Sequence, residues 1–216
     1  MTTTTQAAQI TLPTAELRAI LAALDEYTSA DKYKPALQLA QVQPIIVEHT
    51  DPNTEPRTVL EWQATNSTEL VSITHEVAHT LTEPAHIDPA AILTSMKAIH
   101  KNTATKPETV LTLTADAWQL TNGPTTSTGQ RTNTQWPNTF GLWQNQQPGL
   151  APFSIGAPMI ARLAKLAKHL NTEQVNAVSM AHTDNKPDPR RPLVYTVTGG
   201  TVDARVLIMP RRPAGE

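Results

Sequence analysis

The chain has 216 residues, 39% hydrophobic and 17% charged, both below the globular averages of about 45–50% and 25%; Thr, Gln, Asn and 18 Pro fill the difference and favour strands and turns. Seventeen Lys and Arg against 19 Asp and Glu give a formal charge of −2, which excludes a global basic field for nucleic acid and leaves only local segregation of charge to contact phosphate. The absence of cysteine excludes disulfides, thiolate zinc sites and cysteine nucleophiles. No apolar run nears the ~18 residues of a membrane span, and the Thr-rich start from Met1 to Thr5 lacks the basic and apolar regions of a leader. The expectation is a soluble, unsecreted, cytoplasmic protein.

The first helical period runs from Thr14 to Asp25, with Leu17, Ile20, Leu21 and Leu24 on one face and Thr14 in the N-cap position. Strands are predicted over Ala36 to Val47, Thr58 to Thr65 and Leu70 to Val77, separated by a turn-rich Thr50-to-Pro56 stretch and by Asn66-Ser67-Thr68. The order then returns. Asp88 is placed to cap a helix with Pro89 at its first position and Ile92, Leu93, Met96 and Ile99 on one face. Strands over Val110 to Thr114 and Ala117 to Thr121 follow, then a polar segment through Gln130. A third unit holds a helix over Ala157 to Leu170, burying Met159, Leu163, Leu166 and Leu170. Its predicted strands are Val175 to Met180, Leu193 to Val197 and Val206 to Met209. A helix followed by two or three strands thus appears three times, and the chain divides into units at 1–84, 85–147 and 148–216. The fold class is α+β, with helices packed on antiparallel sheets.

Charge is unevenly spread. From Pro89 to Lys106 there is no Asp or Glu, while Lys97, His100 and Lys101 lie on the polar side; from Phe153 to Asn171 there is again none, with Arg162, Lys165, Lys168 and His169 opposite the apolar stripe. A helix that packs on a sheet by one face and offers cations on the other suits phosphate contact without base readout.

The closing segment, Arg191-Pro-Leu-Val-Tyr-Thr196, the Gly199-Gly200 turn and Ala204-Arg-Val-Leu-Ile-Met-Pro-Arg-Arg212, resembles the end of the bacterial DNA polymerase III beta subunit, the sliding clamp. Leu60-Glu-Trp-Gln-Ala-Thr-Asn-Ser-Thr-Glu-Leu70 resembles that family's strand and Ala-Thr-Asp turn. His86-Ile-Asp-Pro-Ala-Ala-Ile-Leu93 resembles the entry to its second helix, and Trp136-Pro137 resembles the Phe-Pro closing an even-numbered module.

The resemblance implies the DNA-clamp fold and a non-catalytic replication processivity factor. Its helices would line a hole around duplex DNA, with Lys97, Lys101, Arg162, Lys165 and Lys168 facing the phosphates. It further implies a clamp loader, a homo-oligomer, no cofactor, and a cleft for peptides of DNA polymerase and other clamp-binding proteins. That cleft carries over as Thr65 and Leu70, Pro137 and Leu142, and Leu207, Met209 and Pro210. Clamp chains of that family and its trimeric relatives carry six or four modules, whereas three helices are predicted here. Four chains would reach twelve modules, but an odd number per chain breaks the alternation of junction types under simple rotation. A clamp-like module that binds replisome peptides without encircling DNA is the alternative within the same fold.

A second motif points elsewhere. His75-Glu-Val-Ala-His79 matches H-E-x-x-H, in which a helix sets two His as zinc ligands and Glu76 as general base of a metallopeptidase, with His86 as a third candidate ligand. The helix is supported by the spacing of Leu70, Ile73, Val77 and Leu81. The alternation of Val71, Ile73, His75 and Val77 supports a strand instead, which would hold the two His about 13 Å apart, too far to share a metal. The metzincin extension is missing: Thr82 and Ala85 stand where Gly and His are needed. No phosphate-binding Gly loop and no G-x-S-x-G elbow occurs.

Overall fold

The computed structural model describes residues 7–47, 56–96, 108–132, 134–139, 157–170, 177–181, 193–199 and 202–208. In chain order these form β1 (Ala8–Pro13), α1 (Thr14–Asp25), β2 (Ala40–Val47), β3 (Arg57–Thr65), β4 (Glu69–His75), β5 (Ala78–His79) and β6 (Ala85–Ile87). There follow α2 (Pro89–Met96), β7 (Glu108–Leu113), β8 (Ala117–Asn122), β9 (Thr125–Gln130), α3 (Ala157–Leu170), β10 (Ala177–Ala181), β11 (Leu193–Gly199) and β12 (Val202–Ile208). All strand pairs are antiparallel. They make a five-stranded sheet in the order β5-β1-β7-β8-β9 and a seven-stranded sheet in the order β10-β11-β12-β4-β3-β2-β6.

The stripes of α1 and α3 read from the sequence are buried; on α2 Ile92 and Met96 are buried, Leu93 is half-buried and Ile99 lies outside the described residues. Leu17, Ile20, Leu21 and Leu24 of α1 are fully buried, each stabilising the packed state by about 1.5–3 kcal/mol relative to exposure. They share one core with Met96 of α2, Leu166 of α3 and the inward residues of both sheets. Asp88 caps α2 as expected, its Oδ1 accepting the Ala91 N–H at 2.9 Å.

Thr14 does not cap α1. It is the first helical residue, and its hydroxyl turns into the five-stranded sheet, 2.7 Å from Thr109 Oγ1 and 3.0 Å from the donating Asn122 Nδ2. The strand expected from Ala36 begins only at Ala40, because Pro35 opens a short 3-10 turn through Gln38. The polar segment ending at Gln130 is the strand β9.

An internal repeat organises the first two thirds. β6-β2-β3-β4 in one sheet has the order of β1-β7-β8-β9 in the other, each a three-strand meander edged by the strand that leads into a helix. The sequence repeats with it: Trp62-Gln-Ala-Thr-Asn66 leads out of β3 and Trp118-Gln-Leu-Thr-Asn122 leads out of β8. Trp62 pairs with Ile73 across β3 and β4, and Trp118 with Gly129 across β8 and β9. Gly129 is required there, since a Cβ would lie 2.2 Å from the Trp118 ring. β4 is in turn joined along its outer edge by β12, from Glu69↔Ile208 to His75↔Val202, so β10-β11-β12 continue the sheet of β2-β3-β4.

Candidate DNA-facing helices and peptide cleft

On α3 the residues opposite the apolar stripe divide. Arg162 reaches down to Glu69, whose side chain is 0% exposed, and forms an ion pair with its Oε2. Glu69 lies on the same face of β4 as Val71 and Ile73, the face that meets the helices. Lys165 Nζ stands 3.0 Å from both carboxylate oxygens of Glu26, just past the end of α1. Lys168 is exposed. Burial pushes the His169 imidazole below the usual histidine range, against Glu26 and with Lys165 and Lys168 adding to the depression. Of the cations expected on this helix, two are thus neutralised by carboxylates of the same chain. Lys97 and Lys101 lie outside the described residues.

Sequence reading missed both carboxylate partners, because Glu26 and Glu69 belong to elements far along the chain. One signal was available: Glu69 occupies the inward phase of the Val71, Ile73, His75 alternation, and a carboxylate buried at such a position needs a cation. It also missed Arg18, on an acid-bearing helix, whose guanidinium donates to the Met96 carbonyl at 3.5 Å and so sets a cation where α1 meets α2.

Three of the expected cleft residues, Thr65, Leu70 and Leu207, lie on the other face of the seven-stranded sheet. Thr65 pairs with Leu70 across β3 and β4, and Leu70 with Leu207 across β4 and β12. Their neighbours Ala64, Val71 and Val206 belong to the core, so alternation turns all three to the face away from the helices. There they form one cross-strand row, buried at 8%, 2% and 2% exposure. The turn beside the row is tightly specified. Thr65 Oγ1 donates to the Glu69 carbonyl at 2.7 Å, Asn66 Oδ1 accepts the Thr68 and Glu69 amides at 3.1 and 3.0 Å, and Ser67 takes a left-handed φ of 80°.

Pro137 lies in the segment 134–139. It is half-buried in a segment whose Trp136 ring stacks on His86 at 5.8 Å between centroids and whose Thr139 hydroxyl lies 2.6 Å from Gln63 Oε1 of β3. Leu142, Met209 and Pro210 lie outside the described residues. Beside this segment, Glu61 is buried on the same outward face and accepts from Ser72 Oγ at 2.5 Å and Gln43 Nε2 at 2.8 Å.

The helix needed for a zinc site at His75-Glu76-x-x-His79 is not formed, which corrects that alternative. His75 ends β4 in the seven-stranded sheet, whereas His79 lies in β5, paired with Ile10 in the five-stranded sheet. Glu76 pairs with Arg57 at 2.8 Å. His75 is buried with Nε2 3.4 Å from Glu16 Oε2, and burial outweighs that carboxylate and lowers its pKa. His86 stacks on Trp136 instead. Among the described residues no three His, Asp or Glu side chains converge on a common point that would hold a metal.

No protein-family model matches the sequence, and no curated protein matches it. Solved structures do match. A DNA polymerase sliding clamp from Bacillus subtilis superposes with a TM-score of 0.63 at 13% identity, over 98% of this chain and 65% of that one. The sliding clamp from Pseudomonas aeruginosa gives 0.64 at 10% identity, over 95% and 66%. The A. fulgidus PCNA bound to the C-terminal region of FEN-1 gives 0.59 at 9% identity, over 96% and 99%. The chain therefore spans about the length of the A. fulgidus protein, 99% of it, but only 65–66% of these bacterial clamps. At such identities the likeness is one of architecture, and the architecture is the DNA-clamp fold.

Proposed function

We propose that the chain is a sliding-clamp-type processivity factor, which tethers a DNA polymerase to duplex DNA and has no catalytic role of its own. The observation that carries this reading is the Thr65–Leu70–Leu207 row, drawn from the β3–β4 hairpin and the distant strand β12 and gathered on the face opposite the helices. An apolar row beside a structured turn suits the anchor side chains of a short peptide, with Pro137, Leu142, Met209 and Pro210 completing its walls. On the helix side, Lys168, Arg18, Lys97 and Lys101 would supply few, salt-sensitive phosphate contacts, as a protein that holds DNA without stopping on it needs. A clamp loader and further copies of the chain belong to the same reading.

The pairing of Arg162 with Glu69 and of Lys165 with Glu26 favours a second reading, a clamp-like module that binds polymerase peptides without encircling DNA. One experiment separates them. The protein is incubated with a nicked circular plasmid and with the same plasmid linearised, and bound protein is measured after gel filtration. A clamp stays on the circle and leaves the linear form; the Lys97→Glu/Lys168→Glu variant loses retention at every DNA sequence. Equal behaviour on circle and line overturns the clamp, and intact peptide binding in that case establishes the module. In both readings Met209→Ala weakens a polymerase-derived peptide by more than about 1 kcal/mol, an anchor-scale loss.

A further inference from the structure

Glu69 stands between the helix face and the cleft face of the seven-stranded sheet. It is the first residue of β4; its side chain points to the helices, while that of Leu70, the next residue, points to the cleft row. Each of its polar groups bonds into the turn before it. The carbonyl accepts from Thr65 Oγ1 at 2.7 Å and from the Asn66 N–H at 3.2 Å. The N–H donates to Asn66 Oδ1 at 3.0 Å, and the carboxylate Oε2 accepts from Asn66 Nδ2 at 2.9 Å. The same Oε2 carries the ion pair with Arg162. Tyr27, fully buried just past α1, borders that pair: burial and the Glu69 charge raise its phenol above the ordinary range, and Arg162 opposes them.

The two ion pairs of α3 differ in how easily they part. The Glu26 carboxylate is 26% exposed and its partner Lys165 57%, so water or a passing phosphate can replace the contact at little cost. Glu69 is 0% exposed. Stripping its cation leaves an uncompensated buried charge, a far larger loss than a screened surface contact returns. Arg162 therefore stays with its own sheet.

We propose that Arg162 is a positioning residue for the peptide cleft rather than a phosphate contact: through the Glu69 carboxylate it fixes the Asn66–Thr68 turn, and with it the Thr65–Leu70–Leu207 row. The path is short. One guanidinium, one carboxylate oxygen and one side-chain amide join α3 to the turn. The turn needs such support, since Ser67 holds a left-handed φ of 80° that a non-glycine residue seldom takes. Because Arg162 and Asn66 share one oxygen, moving either changes the bond of the other. Without the cation, a buried Glu69 is driven towards its protonated form, and the acceptor that orients Asn66 is weakened. Asn66 Oδ1 then loosens its hold on the Thr68 and Glu69 amides, directly before Leu70. The proposal rests on the cleft reading for its purpose, but its spectral test uses no peptide, so either can fail without the other.

NMR spectra of the full chain test the coupling. Arg162→Met is expected to shift the Asn66 to Glu69 amides and the Leu70 and Leu207 methyls about three-fold more than Leu166→Ala does. The latter opens a cavity under the same helix, at a residue that is fully buried, and leaves the ion pair in place. In the reverse direction, Asn66→Ala is expected to move the Arg162 Nε–H signal and to leave that of Arg18, at the contact of α1 with α2, where it is. A short duplex oligonucleotide at low salt reads the other half: Arg162→Met is expected to keep binding within about two-fold of the wild type, and the exposed Lys168, changed to Met, to lose more. Turn and row signals that stay in place in Arg162→Met, or that move as far in Leu166→Ala, overturn the proposal. So does a loss of duplex binding in Arg162→Met equal to that in Lys168→Met. Should Arg162→Met fail to fold, Asn66→Ala decides alone, and an unmoved Arg162 signal overturns the coupling.

Discussion

β4 and β9 hold the same place in the internal repeat, and each is entered from a strand carrying Trp-Gln-x-Thr-Asn. Their contents differ. β4 is buried on both faces for most of its length, with Ile73 against Trp62 and Leu70 against Thr65. β9 alternates between half-buried and exposed and is polar throughout, with Gly129 under Trp118 and Thr126 against Thr121. The frame of strand and turn is therefore shared, and the receiving strand decides what its edge does. A buried β4 is joined within the chain by β12 and by Arg162 of α3, whereas β9 is polar and half-buried at most.

The largest effect should come from the buried ion pair on the β4 side. Arg162→Ala leaves the fully buried Glu69 carboxylate without its cation, and urea unfolding is expected to show a loss of about 3–5 kcal/mol. Combining Arg162→Met with Glu69→Gln should recover much of that loss; a double variant no better than the single would mean that the guanidinium contributes by packing alone. On the β9 side, Gly129→Ala forces a Cβ into the Trp118 ring and is expected to cost about 1–3 kcal/mol as overpacking. A neutral outcome would show that β9 can shift on β8, a freedom that β4 does not have. The smallest effect concerns pH. Burial lowers the pKa of His75, at the end of β4, so below the ordinary histidine value of about 6.5 the unfolded chain binds a proton that the folded chain refuses. Stability therefore falls as the pH drops through that value. His75→Gln should flatten the fall between about pH 7.5 and 5.5, and an unchanged slope would assign it to His86 or His169, which burial also depresses.

What the sequence revealed follows from which interactions are local. The stripes of α1, α2 and α3, the Asp88 cap and the strands β3, β4, β7 and β8 are legible because periodicity and a cap are written within a dozen residues. β9 is not, since Thr-Thr-Ser-Thr-Gly-Gln has no apolar alternation. It becomes a strand through Trp118 lying over Gly129 and through a two-residue turn with Gly123 at φ 54°. The true role of Thr14 is equally remote, its partners lying near residues 109 and 122. For the site, Leu70 and Leu207 read singly as ordinary core residues, and only the likeness to clamps set them together. Alternation relative to Val71 and Val206 puts both on the face that the main core does not use. The basic face of α3 was legible as composition but not as electrostatics, because the carboxylates that meet Arg162 and Lys165 come from β4 and from the end of α1.

Arg131, one residue past β9, donates from Nε to the His86 carbonyl of β6 at 2.9 Å and from Nη1 to the Thr114 carbonyl between β7 and β8. One guanidinium thus holds an acceptor from each sheet. Fraying that begins at the outer strand meets a stop there: the Ser127 and Gly129 amides, bonded to β8, can exchange with solvent by local opening, while those beyond wait for the rarer event that parts the two sheets. The strand with the least side-chain investment borders a tie between both layers, so it can open without the rest of the molecule loosening.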